Sequence, residues 1–168
     1  MNVPPRWRFH CGDDVNIYER IAAAGLELPN LKVTPAAFRP FKVHGNTLIV
    51  SGQLPVRAGV PVCTGKVPAD VSVDDARHAA RLCVLNVLGW AHLATNGQLD
   101  RIESVLRVGG FVATSEGFAD APSIINAASE LLTQIFGEAG EHARIAIGVA
   151  SLPFNAPVEV EATFSLVS

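Results

Sequence analysis

Apolar and polar residues change their spacing several times along the chain, and each change marks an element. Over residues 16–24, Ile17, Ile21 and Ala24 fall at helical intervals and Gly25 follows, which predicts a short helix. Residues 41–44 and 47–52 flank Gly45-Asn46, a good tight-turn pair, and predict a two-stranded hairpin. The stretch 56–70 holds two Gly and two Pro and predicts an irregular connection. From 74 to about 95, the positions Ala76, Ala80, Cys83, Val87, Trp90 and Ala94 recur every three or four residues. That spacing predicts a long helix with one buried face. Ser72 is placed to cap its start, with Asp75 three residues on, and Gly97 supplies the stop. A strand is predicted at 102–112. A second long helix follows, with Asp120 as N-cap, Pro122 in the first turn and Gly137 at the end. Its predicted buried stripe is Ile124, Ala128, Leu131, Leu132 and Ile135. Two more strands, 144–150 and 158–166, flank the loop LPFNAP.

The order is therefore an N-terminal helix followed by β-β-α-β-α-β-β. Two long helices on one face of a mixed sheet define an α+β, two-layer sandwich. No repeat divides the 168 residues. The expected organisation is an arm and short helix over 1–35 and one α+β domain over 36–168, with residues 1–12 a loosely held arm. Apolar residues make up 49% of the chain and charged ones 17%, enough for a sizeable core, which excludes a disordered chain. Thirteen basic and 16 acidic residues give a net charge of −3, which carries no electrostatic footprint for nucleic acid. No apolar run approaches the ~20 residues that span a bilayer, so no membrane partner is expected. The opening MNVPPRWRFHCGDD lacks the apolar core of a signal peptide. Cys11, Cys63 and Cys83 form no CxxC pair, so reduced thiols and a cytoplasmic location are the simplest expectation. Low charge density suggests surface used up in an oligomer.

Candidate chemistry concentrates in the last two strands. Alternation puts Arg144, Ala146 and Gly148 on one face and Ile145, Ile147 and Val149 on the other. Arg144 thus projects beside small neighbours that leave room for a ligand, and a guanidinium grips a carboxylate in two parallel bonds. From spacing alone an arginine on a solvated sheet face is the commoner arrangement. Glu159, Glu161 and Thr163 share a face, either as acid/base equipment or as a polar outer surface. The register that would join Arg144 to either glutamate is left open. Five histidines (His10, His44, His78, His92, His142) show no metal-ligand spacing, so no metal site is expected, and His78 and His92 are assigned to a helix surface. Ser51-Gly52 lacks the preceding glycine of a nucleophile elbow. Gly109-Gly110 indicates a bulge or a close backbone approach, Cys63 a loop thiol and Cys83 a core residue.

Three segments together resemble the RidA family, also called the YjgF family. ARIAIGVASLPFNAPVEVEATF (143–164) resembles its C-terminal signature, an Arg, an apolar strand, Leu-Pro and V-E-[IV]-E-A, with fifteen residues from Arg144 to Glu159. RPFKVHGNTLIVSGQLPV (39–56) is similar to the block GPY…G…IxxSGQ[IL]P. The helix PADVSVDDARHAARLCVLNVLGWAHLA resembles DVxxQxRQxLxNVxxxLxxAG, with Asn86 in the matching place. The resemblance covers about residues 36–167, and the longer N-terminus and central insertion look like the family's longer branch.

The resemblance implies a chorismate-mutase-like fold and a homotrimer whose sheets pack around a central barrel, with ligand sites between subunits. It implies hydrolysis of reactive enamines and imines such as 2-aminoacrylate to 2-oxo acids and ammonia, without a cofactor or metal. Carried over by position, Arg144 binds the substrate carboxylate, Ser51 and Gly52 add hydroxyl and backbone contacts, and Glu159 orients or activates water. Asn126 matches a site-lining asparagine. Three positions depart from the pattern: Phe41 replaces a tyrosine, Ala146 stands where a cysteine is frequent, and GEAGEHAR replaces the usual FPAR. Together they point to a changed or larger substrate. The competing function is a module that binds a 2-oxo acid as a sensor without turnover, which Phe41 favours. The endoribonuclease label long attached to the family is opposed by the net charge of −3.

Overall fold

Helical and alternating patterns become helices and strands in the same order in the computed structural model of the chain, which describes residues 16–167. The expected arm over 1–12 lies outside the described residues. The elements are α1 (Ile17–Ala23), β1 (Phe41–His44), β2 (Thr47–Gln53), β3 (Val56–Arg57), β4 (Val60–Pro61), α2 (Val73–Ala94), β5 (Ile102–Ala113), α3 (Ala121–Phe136), β6 (Ala143–Val149) and β7 (Val158–Leu166).

Capping explains where the helices begin. Asn16 accepts from the Glu19 amide at 3.0 Å while Glu19 accepts from the Asn16 amide at 3.3 Å, a complete capping box for a helix of two turns. Ser72 Oγ accepts from the Asp75 amide at 3.1 Å and donates to its carboxylate at 2.7 Å. The expected side-chain cap at Asp120 does not form. Its backbone (φ −95°, ψ 33°) departs from the extended conformation that turns a capping side chain over the helix amides. Its carbonyl serves instead, taking Ser123 N at 3.2 Å and Ser123 Oγ at 2.9 Å.

The sheet order is β1-β2-β7-β5-β6, antiparallel except for the β5–β6 pair. That parallel pair needs a long crossover, and α3 provides it. Register then assigns every side chain to a face. Val108 lies opposite both Arg144 and Ala162, whereas Phe111 lies opposite both Ile147 and Glu159. Leu48, Val50, Val108, Val158 and Val160 turn to the helices and are fully buried. Ile49, Phe111, Ile145, Ile147, Glu159 and Glu161 turn to the open face. The predicted stripe of α3 is buried throughout. Gly109 and Gly110 mark close approach on both faces, not a bulge. A β-carbon at Gly110 would stand 2.6 Å from Ile125, and one at Gly109 2.6 Å from the Glu161 carboxylate.

Helix α2 buries more than the predicted stripe, because the segment 26–31 covers its second side. A β-carbon at Gly89 would meet Pro29 at 2.7 Å and Leu31 at 2.9 Å. Ile21 of α1 joins the same core as α2 and α3. His92 is half-buried, with Nδ1 2.9 Å from the Tyr18 hydroxyl, and so is not the plain surface residue expected from spacing. The tract 56–70 also holds more order than its composition predicts. Its β3–β4 hairpin turns at Ala58 (φ 49°) and Gly59 (φ 79°), where only the second residue carries a turn signal. Buried Asn86 ties this hairpin to α2, donating to Leu54 O at 2.9 Å and Val56 O at 3.1 Å.

Candidate functional site

Arg144 sits on β6, the edge strand, and its side chain turns to the helix side of the sheet. Its Nη1 donates to Asn126 Oδ1 at 2.8 Å and to Ser129 Oγ at 3.2 Å. Both acceptors come from α3, where a spacing of three residues places them on one helix face. Arg144 and Asn126 are exposed, so the group stands at the rim of the sheet. Ser129 Oγ also lies 3.0 Å from His142 Nε2, and His142 Nδ1 is 2.6 Å from Gly140 O. Ala146, next on the Arg144 face, packs against the core.

Glu159 occupies the other face. It is half-buried on central strand β7, and burial together with the nearby Glu161 charge pushes its carboxyl above the ordinary value. Its carboxylate lies over the backbone at Gly52, where a β-carbon would collide with it. Gly52 therefore admits the carboxylate because it has no side chain. Ser51, beside it, donates to Arg39 O at 2.8 Å. Glu161 forms an exposed ion pair with Arg107 at 3.1 Å.

The structure thus assembles the predicted residues in two groups. Arg144 and Asn126 meet at the sheet edge, and Glu159 meets Gly52 on the open face, while Ser51, next in the chain, is turned to Arg39 O. Within one chain the groups lie on opposite faces, and Arg144 and Glu159 do not touch. Phe41 joins neither. It pairs with Val50, facing the helices, and its ring centroid is 6.3 Å from that of Trp90. Ser129 and His142 were not singled out from the sequence, although Ser129 follows Asn126 by about one helical turn and His142 stands two residues before Arg144. A cavity of about 780 Å³ lies between the 25–32 segment, the β3–β4 turn and α2, away from both groups. Among the described residues no three His, Cys, Asp or Glu side chains cluster to hold a metal ion, and no helix is long and apolar enough to cross a membrane.

A five-stranded mixed sheet with α2 and α3 on one face, an edge arginine and a glutamate on the open face define a YjgF/chorismate-mutase-like α+β fold. Residues 18–164 match the family model described as "YjgF/chorismate mutase-like, putative endoribonuclease". The chain belongs to the YjgF (RidA) family. It is 38% identical over 143 residues to Protein TCP17 of Trypanosoma cruzi, covering 84% of this chain and 89% of that one. Among solved structures, the protein Atu1372 of Agrobacterium tumefaciens is 43% identical and superposes with a TM-score of 0.85, over 92% of this chain and 95% of that one. A Shewanella oneidensis protein described as a "putative endoribonuclease" gives 32% and 0.84, over 90% and 99%. The YjgF gene product of E. coli gives 27% and 0.54, over 82% and 92%.

Proposed function

We propose that this protein hydrolyses reactive 2-imino acids, and their enamine tautomers, to 2-oxo acids and ammonia at a site completed between copies of the chain. The observation that carries this reading is the pair of half-sites. A guanidinium anchored at the sheet edge and a carboxyl of raised pKa over a bare Gly52 backbone stand on opposite faces. A second copy that lays its edge strand against the open face joins them. The open face is suited to such cover, because Ile49, Ile145 and Ile147 are 49%, 38% and 41% exposed there. A homotrimer with the sheets facing inward, as family resemblance implies, buries this apolar surface.

The chemistry needs little equipment. Arg144 holds the substrate carboxylate, and the electrophilic C=N carbon lies within reach of a water held by Glu159. Glu159 takes one proton as the water oxygen bonds to carbon and passes it to nitrogen as the C=N π bond opens, then takes the proton of the resulting hydroxyl and passes it to nitrogen as C=O forms and the C–N bond breaks. R–C(=NH)–COO⁻ and water become R–CO–COO⁻ and ammonia. A carboxyl pushed up from its ordinary value is better matched to both proton transfers near neutrality. The net charge of −3 argues against a polynucleotide substrate.

The test is release of ammonia or 2-oxo acid from enzymatically generated 2-imino acids, with wild type and Arg144→Ala side by side. Acceleration by wild type that the variant loses supports the reading. Absence of acceleration across several imino acids transfers it to a second one, a sensor that binds a 2-oxo acid without turnover. Phe41 favours that alternative, since its ring packs on Trp90 and it carries no hydroxyl.

A further inference from the structure

We infer that Ser129 and His142 are positioning residues that present one particular edge of Arg144 to the substrate. The inference rests on the reading of Arg144 as a carboxylate clamp. Hydrogen-bond direction carries the argument. Gly140 O can only accept, so the 2.6 Å contact requires the proton on His142 Nδ1. In the neutral ring Nε2 is then the acceptor, and the Ser129 hydroxyl must point its proton at it across 3.0 Å. That orientation leaves the lone pairs of Ser129 Oγ for Arg144 Nη1, 3.2 Å away. Asn126 Oδ1 takes the other Nη1 proton at 2.8 Å. Both protons of Nη1 are thereby used.

Among the described residues no hydrogen bond engages Nε or Nη2 of Arg144. Those two nitrogens form the side-on edge of the guanidinium, whose parallel N–H groups match the two oxygens of a carboxylate. Anchoring through Nη1 alone therefore does more than immobilise the side chain. It withdraws the end-on edge, offers the side-on edge, and selects a ligand with a planar carboxylate over one with a single acceptor. His142 touches no ligand in this arrangement. It acts through the proton of Ser129, and the departure GEAGEHAR is what places it two residues before Arg144, just ahead of β6.

The experiment measures binding of 2-oxobutanoate, and of its neutral amide, to the assembled protein by calorimetry. The variants are Arg144→Ala, Ser129→Ala, His142→Phe and His142→Gln, each checked for unchanged mass and thermal midpoint. Arg144→Ala should abolish discrimination between acid and amide. Ser129→Ala and His142→Phe should each weaken the acid by about tenfold or more, the effect of one hydrogen bond to a charged group, and leave the amide unaltered. His142→Gln, whose carboxamide oxygen can accept the Ser129 proton, should recover most of the loss. Acid binding that survives Arg144→Ala, or is missing in wild type, defeats the clamp reading and this inference with it. Loss in Arg144→Ala with wild-type affinity in Ser129→Ala and His142→Phe overturns the inference alone. So does a His142→Gln variant as weak as His142→Phe. If His142→Phe fails to assemble, Ser129→Ala decides.

Discussion

The substitution Gly52→Ala separates the chemistry of the open face from its stability. The backbone at Gly52 lies outside the left-handed region, so alanine can adopt it, and stiffening the unfolded chain contributes about 0.4–1 kcal/mol. The added β-carbon, however, would lie 2.8 Å from Glu159 Cδ and 3.2 Å from Cγ, and would collide with Oε1. Ordinary contact begins at 3.4 Å, so Cδ must retreat by 3.4 − 2.8, roughly 0.6 Å, and the carboxylate oxygen further. The obstacle is the end of a flexible side chain, and an off-rotamer turn of Glu159 costs about 0.5–1.5 kcal/mol. The two terms nearly cancel, which keeps the thermal midpoint within about 2–4 °C of wild type. Activity is far less tolerant, because a displacement of about 1 Å in a positioned group can lower the rate by about 10²-fold. Imine hydrolysis and a thermal melt on the same preparation read both quantities. Shortening the clashing side chain in Gly52→Ala/Glu159→Asp should lose less activity than the sum of the single effects. An alanine variant with wild-type turnover, or one that melts well below that window, would refute the reasoning.

Glu159→Gln reports the burial of the same group through pH. The carboxyl is held above its ordinary value, so the folded state binds the proton more tightly than the unfolded chain. Wild-type stability therefore falls as pH rises from the ordinary carboxylate value through the raised one, and stays lowered above it. The glutamine variant should melt higher than wild type at pH 7, with the difference fading towards pH 4; an equal difference at both pH values excludes this cause. Ile147→Glu places a charge on the open apolar face and should convert a three-chain mass to a one-chain mass in light scattering, with loss of imine hydrolysis. Wild type that already runs as one chain removes the shared site.

Legibility in the sequence followed the range of the interactions. Local patterns were enough for α2, α3 and β5, because Ala76 to Val87 and Ile124 to Ile135 record their own burial. The Asp120 cap was misjudged because residue type alone does not set ψ, and here the Asp120 carbonyl does the work of the side chain. The β3–β4 hairpin escaped because Ala58 carries no turn signal, and its support comes from Asn86, thirty residues away. The same limit governed the site. Asn126 was found through family resemblance, whereas Ser129 and His142 were missed because their link to Arg144 spans α3, a 3₁₀ turn and β6. The faces of Arg144 and Glu159 depended on pairing through β5, which neither strand encodes alone.

Strand order also sets a schedule for folding. β7 follows every other described strand in sequence, yet it lies in the middle of the sheet, hydrogen-bonded to β2 on one side and β5 on the other. Until residues 158–166 leave the ribosome, β1–β2 and β5–α3–β6 are two partial sheets with no seam between them. Each then exposes the backbone edge that β7 will fill, a template for pairing with the wrong chain. Val158, Val160 and Phe164 close the core in the same event that delivers Glu159. In a nascent chain the Arg144–Asn126 group, built on α3 and β6, therefore precedes Glu159, and the glutamate and the finished sheet arrive together.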